Sequence, residues 1–393
     1  MTEEEFFAYQ SKVIGKILES PLEEALQIYT NNFNVLQNYS FILPYSEGID
    51  YVQKFREMKL KNIDVIHFFQ SDRLYCLNAQ DCISNLFNHE YENKIASCVS
   101  LDTQIQSYLY RNYIDAKNKI PENIEEIQKL IDSRMCLIDC LPYTFENTLF
   151  NPQFIKMQIY KDNVFAFETY FLKNKQKAKI YSNKLIKYDK RLMDDEFSDW
   201  YRRQYLFYYL ELLVMIDIFL NHKNLKIFDK ELLLVKYFHE NIGLLSDREL
   251  NLAKLLFIHG TKITFFGKIQ KGRKDIVKNL RNMAWDIFHL NNIFNGMLIP
   301  RKGIDFVIPF FITYDRRLKD IAPIYKLKSI AYIPGGFIKH LYFLTDLLDP
   351  TIKHNYFTAK AFLDRQSRLK GVTEKILIDK IQIEIDKYEE LLS

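Results

Sequence analysis

Two aspartates stand at matching places in the chain. Asp102 directly follows the apolar run Ile95–Leu101, and Asp315 comes two residues after the run Ile304–Thr313. Both runs are short and mainly apolar, which reads as a buried strand. A helical pattern follows each. In an open α/β sheet, the edge formed by the carboxyl ends of the strands is where ligands bind. Two carboxylates at that edge would be hard oxygen donors suited to Mg²⁺ or Mn²⁺. Crowded together, they would repel or protonate unless a cation joined them.

Two further acids lie in helical segments. Glu146 falls in Tyr143–Phe150, two helical turns that begin after Pro142. Asp286 lies off the centre of the apolar face of Arg273–Leu290, where Ile276, Leu280, Met283 and Ile287 recur at the helical period. Asp139 and Asp305 are the substitutes for any member of this set and otherwise serve a turn or a surface. Arg281, Arg316, Arg317 and Lys319 are close in sequence to the acids and suit a phosphate backbone. The cluster Lys271-Gly272-Arg273-Lys274 adds local positive charge. The run Lys173-Asn174-Lys175-Gln176-Lys177-Ala178-Lys179 reads as a solvated face, with guidance of a nucleic acid as the alternative.

The elements that must position these residues follow from periodicity and punctuation. Residues 1–94 read as a mainly helical N-terminal region, with one or two strands between Leu60 and Tyr75. The spacing predicts helices over Thr103–Tyr113 and from Pro121 through Ile124, Ile127, Leu130 and Ile131. Residues 151–275 are helical throughout, with long patterns at Trp200–Asn221 and Lys230–Gly243. Ser246-Asp247-Arg248-Glu249 has the form of a capping box that opens a helix through Leu250–His259. A helix from Arg316, a strand near Ser329–Ile333 and a Pro334-Gly335-Gly336 turn come next. Residues 341–393 close the chain with helices, including an amphipathic Val372–Leu392.

Composition sets bounds on function. A net charge of +4 over 393 residues gives no global electrostatic footprint, so any nucleic-acid face has to be local. The five cysteines, Cys76, Cys82, Cys98, Cys136 and Cys140, form no CxxC pair and read as reduced thiols of a cytoplasmic protein. The acidic start Met1-Thr2-Glu3-Glu4-Glu5 lacks a signal-peptide core. Tyr205–Leu220 is strongly apolar but short, and it carries Glu211 and Asp217, so it reads as a buried core helix and not a membrane span. No phosphate loop and no nucleophile elbow is present.

The acids and their contexts resemble the PIN-like metal-dependent nucleases. Leu101-Asp102-Thr103-Gln104 is similar to that family's first motif, and Phe145-Glu146-Asn147 to its helix-borne glutamate. Ala284-Trp285-Asp286 is similar to the third acid, and Ile312-Thr313-Tyr314-Asp315-Arg316-Arg317-Leu318 to the fourth motif. Lys328–Pro334 resembles the family's last strand.

The resemblance implies an α/β, PIN-like core with a central parallel sheet, made of residues 95–150 and 276–340. It is interrupted by the large helical insertion at 151–275, where compact members have a much shorter gap. It implies metal-dependent hydrolysis of phosphodiester bonds, of RNA rather than DNA. Asp102 and Asp315 would ligate Mg²⁺ or Mn²⁺, while Glu146 and Asp286 would orient metal-bound waters or complete a second metal site. A toxin-like or defence role rests on that analogy alone. The alternative is a non-catalytic helical scaffold that keeps a nuclease-like core. In either case the helical insertion offers surface for a protein partner.

Overall fold

A computed structural model describes residues 3–53, 63–79, 95–121, 124–125, 127–128, 136–270, 274–293, 306–334, 339–343 and 345–393. Asp305, Lys271-Gly272-Arg273, Leu130, Ile131 and Gly335-Gly336 lie outside these residues. The chain divides into two compact units. The first holds 1–141, 292–316 and 325–344; the second holds 142–291, 317–324 and 345–393.

The first unit is mixed α/β, with two four-stranded sheets. Its helices are α1 (Glu3–Glu19), α2 (Leu22–Asn31), α3 (Phe33–Leu36) and α4 (Thr103–Ile114). Its strands are β1 (Ser40–Asp50), β2 (Asp64–His67), β3 (Arg73–Leu77), β4 (Ile95–Leu101), β5 (Cys136–Asp139), β6 (Phe306–Thr313), β7 (Leu327–Tyr332) and β8 (Lys339–Phe343). One sheet has the order β2-β6-β4-β5. Its β6–β4 and β4–β5 pairs are parallel, and β2 closes one side antiparallel to β6. The other sheet, β3-β1-β7-β8, is antiparallel throughout.

The expected parallel sheet is therefore only partly parallel, and the strand near Ser329–Ile333 is not its last member. That segment is β7, which pairs with β1 through Ser40↔Tyr332 and Ile42↔Ile330. The described part of residues 1–94 supplies three strands, two in one sheet and one in the other, so it does not form a helical region apart from the sheets. The signal for β1 was weak because Pro44, Ser46, Glu47 and Gly48 interrupt its apolar residues. The ladder with β3 is irregular there, between Pro44 and Ile49. Gly48 is required at that point: a Cβ would lie 2.4 Å from the Leu74 carbonyl oxygen.

Strand β6 is buried at every position, as its continuous apolar sequence demands. It contains Pro309, which would normally break a central ladder. The Ile312 carbonyl accepts from Asp102 N on the β4 side, so even-numbered residues of β6 bond towards β4 and odd-numbered ones towards β2. Pairing with β2 ends at His67↔Phe310. The missing N–H of Pro309 thus falls where β2 has already stopped.

The second unit is helical, as the sequence predicts for 151–275. It comprises α5 (Leu141–Thr148, from Pro142 onward), α6 (Gln158–Leu172), α7 (Lys175–Leu192), α8 (Asp195–Asn221), α9 (Ile227–Tyr237), α10 (Asp247–His259), α11 (Ile276–Asn292, to Asn291), α12 (Pro350–Tyr356), α13 (Ala359–Leu369) and α14 (Glu374–Leu392). Helix α8 organises its core. By length and composition, Phe197–Asn221 is apolar enough to cross a membrane, but 78% of that window is buried inside the protein. Helix α14 packs Leu377, Ile381 and Ile385 as its buried stripe.

Ser246 precedes α10 as expected, without the capping-box geometry. Its hydroxyl bonds the Glu249 side chain and makes no cap bond to the backbone. Glu249 also accepts from Asn291 Nδ2 at 2.8 Å, which ties α10 to α11.

Candidate active site

The parallel register brings two of the four acids onto one edge. Leu101 of β4 is level with Ile312 of β6, so the chain emerges from both strands side by side. Asp102 then caps α4, its Oδ1 accepting from Gln104 N at 3.3 Å. A carboxylate is favoured there because the first N–H groups of a helix lack partners and carry partial positive charge. The other oxygen, Oδ2, accepts from the Thr313 hydroxyl at 2.6 Å. Thr313 Oγ1 in turn accepts from Asp315 N at 2.9 Å. A single hydroxyl, fully buried, therefore links the two strand-end aspartates.

This edge is a topological switch point. From β4 the chain passes through α4 to β5 on one side, while β6 lies on the other. Such a reversal leaves a crevice outside the strand ends. Two hydroxyls beside it are buried without a hydrogen-bond partner among the described residues: Thr103 Oγ1, next to Asp102, and Tyr314 Oη, next to Asp315. The Tyr314 ring packs edge-on against Tyr108 at 5.8 Å, and burial, with Tyr108 adding to it, pushes its hydroxyl up to about 12.

One carboxylate on this edge was not singled out from the sequence. Asp64, 8% exposed, opens β2 and is the cross-strand neighbour of Thr313. Paired residues on adjacent strands share a sheet face, so Thr313 has Asp64 beside it on one strand and Asp102 bonded to it from the other. The segment Ile63–Phe69 carried a strand signal, but nothing local paired Asp64 with a residue almost 250 positions away. Asp139 ends β5 on the same edge as a structural cap. It accepts from Ser100 Oγ at 2.9 Å, Cys98 Sγ at 3.3 Å and Leu141 N at 3.1 Å. Cys76, Cys98 and Cys140 are buried.

The other two acids belong to the second unit. Glu146, on α5, bonds His289 of α11 through Oε1 and Nε2 at 2.9 Å. The imidazole is 6% exposed as a residue and stacks on Trp285 at 5.8 Å. Asp286 lies three residues before His289 and so on the adjoining strip of α11. Sequence reading gave His289 no role, because its partner comes from a different helix.

The basic residues divide as well. Arg281 grips Glu389 of α14 with Nε and Nη2, at 3.0 and 2.7 Å. Tyr209 also donates to that carboxylate, so Arg281 serves the packing of α11 against α14. Arg316, Arg317 and Lys319 lie on the short 3₁₀ turn Arg316–Asp320 that follows Asp315. Arg316 and Lys319 are exposed, and Arg317 is half-buried.

Among the described residues, no group of three or more His, Cys, Asp or Glu side chains is arranged to hold a metal ion. No protein family model, curated protein or solved structure matches the chain.

Proposed function

We propose that the first unit is a metal-dependent phosphodiesterase of the PIN-like type, cutting RNA rather than DNA, with Asp102 and Asp315 as its metal-holding pair. The observation that carries this reading is the Asp102–Thr313–Asp315 linkage at the ends of adjacent parallel strands. The donor set fits the ion. Mg²⁺ commonly takes one or two protein carboxylates and keeps several waters, so a cage of three or four acids is not required. The buried hydroxyls of Thr103 and Tyr314 support the same reading, since unpaired buried polar atoms mark places where water, an ion or a substrate oxygen is missing.

A bound Mg²⁺ or Mn²⁺ would supply an activated water and offset charge on the scissile phosphate. The protein's own part is positional. Thr313 orients the Asp102 carboxylate, and the α4 N-terminus holds its other oxygen. Arg316 places positive charge directly after Asp315 for the phosphate backbone. Glu146 and Asp286, on the second unit, are not needed for this pair.

One observation favours a second reading, a non-catalytic scaffold. Both oxygens of Asp102 already accept hydrogen bonds within the protein, as a helix cap and a strand tie would require. The two readings separate in one experiment. Wild type, Asp102→Asn and Asp315→Asn are compared on mixed RNA and DNA with Mg²⁺, Mn²⁺ or EDTA. Cleavage by wild type alone, abolished by EDTA, supports the enzyme. Equal cleavage by all three rejects the assignment, and inactivity without Mn²⁺ binding favours the scaffold.

A further inference from the structure

Helix α7 is built at a cost that its packing does not explain. Its buried stripe is narrow: Ala178, Ser182, Ile186 and Asp189. Asp189, the one acid within the helix, is fully buried and accepts from Tyr160 at 2.5 Å. Between Lys173 and Arg191 the chain carries eight lysine and arginine side chains, all exposed. Among the described residues, none of the eight has a carboxylate partner.

Several of these cations oppose the helix they sit on. Lys175 and Lys177 occupy the first turn, where the helix dipole is positive. Lys175–Lys179 and Lys187–Arg191 are like-charge pairs four residues apart, which also destabilise. Lys190 and Arg191 in the last turn suit the dipole, but the first-turn cations and the like-charge pairs add no stability to the fold and would be offset by an external anion.

The positions on the side away from the core form a regular pattern. Lys177, Lys184 and Arg191 repeat every seven residues along one line, spanning about 21 Å of helix. Tyr181 and Tyr188 repeat at the same interval beside them and are 50% and 38% exposed. Lys184 Nζ lies 5.2 Å from the Tyr181 ring centroid. An anionic membrane surface fits poorly, because a helix lying on lipid needs a continuous apolar face. Here the apolar stripe is already buried in the protein, and exposed Ile180 stands among lysines. Cations in line with flat aromatic rings suit a strand with both phosphates and unstacked bases.

We infer that the exposed face of α7 binds single-stranded nucleic acid, Lys177, Lys184 and Arg191 taking phosphates while Tyr181 and Tyr188 stack on bases. This surface lies on the second unit and does not depend on the proposed phosphodiesterase activity. It is therefore measured in EDTA, where failure of cleavage and failure of binding are separate results.

The test is fluorescence anisotropy of a labelled single-stranded oligouridylate with the full chain, across a salt series. Lys177→Glu/Lys184→Glu/Arg191→Glu should weaken binding by at least about 10-fold and flatten the salt slope by about 2. Tyr181→Ala/Tyr188→Ala should weaken it by about 10-fold with the slope unchanged. All these side chains are exposed, and circular dichroism checks that each variant is folded. The inference is overturned if neither variant changes affinity, if the duplex form binds as tightly as the single strand, or if phosphatidylserine vesicles compete better than the oligonucleotide.

Discussion

Thr313 of β6 and Asp102 beyond β4 are 211 residues apart and share a 2.6 Å hydrogen bond. The bond exists because parallel pairing sets the two strand ends level, and because Thr313 projects towards the helix cap that Asp102 forms.

Thr313→Val tests how much that hydroxyl does. The side chain keeps its shape in a fully buried position but removes the hydrogen bond it gives Asp102 Oδ2 and the one it takes from Asp315 N. The expected loss is about 1–3 kcal/mol of stability by urea denaturation. Metal-dependent cleavage should fall more than stability does, because the carboxylate is no longer held in place. An unchanged midpoint together with unchanged activity would remove Thr313 from the site.

Stability of the second unit should fall as pH rises. Burial pushes the Glu211 carboxyl well above the ordinary glutamate range, with Glu249 adding to the shift and Arg248 opposing it. Burial also lifts Glu168 from 4.5 to about 7. In each case the folded state binds the proton more tightly than the unfolded chain. Stability is therefore greatest below the unfolded value and is lost as pH rises through the folded one. Glu211→Gln should match wild type in melting temperature near pH 4 and exceed it by more than about 2 °C near pH 8. A constant difference at all pH values would contradict this.

Docking of α14 through one stripe gives a paired prediction. Ile381 is fully buried and Ile383 is 67% exposed, two residues away on the same helix. Ile381→Ala should cost about 2–5 kcal/mol and Ile383→Ala well under 1 kcal/mol by chemical denaturation. Similar costs at both positions would mean that α14 is packed in another rotation.

Lys173 sits at φ 49° between α6 and α7, the only non-glycine residue with positive φ among those described. A side chain at that angle is strained, whereas glycine is not. Lys173→Gly should raise stability by up to about 1 kcal/mol, read as a higher melting temperature. A loss instead would show that the lysine stem makes up for the strain.

What depends on neighbours along the chain was legible without coordinates. Short, mainly apolar runs marked β4 and β6, because buried central strands carry few polar residues. Helical periodicity marked α4, α8, α10, α11 and α14 closely, and the acid after each parallel strand was legible from strand-end chemistry. Pairing partners were not. Strand β1 was hidden by the polar residues and glycine around its bulge, and β7, which resembled the last strand of the parallel core, instead pairs antiparallel with β1 and β8 in the other sheet. Asp64, the Thr313 bridge and the His289–Glu146 bond came from tertiary structure alone, as did the grip of Arg281 on Glu389. Hydrogen bonds and ion pairs between distant elements depend on which strands lie side by side and how helices are rotated. Those are outcomes of burying a whole core, and no local window of residues encodes them.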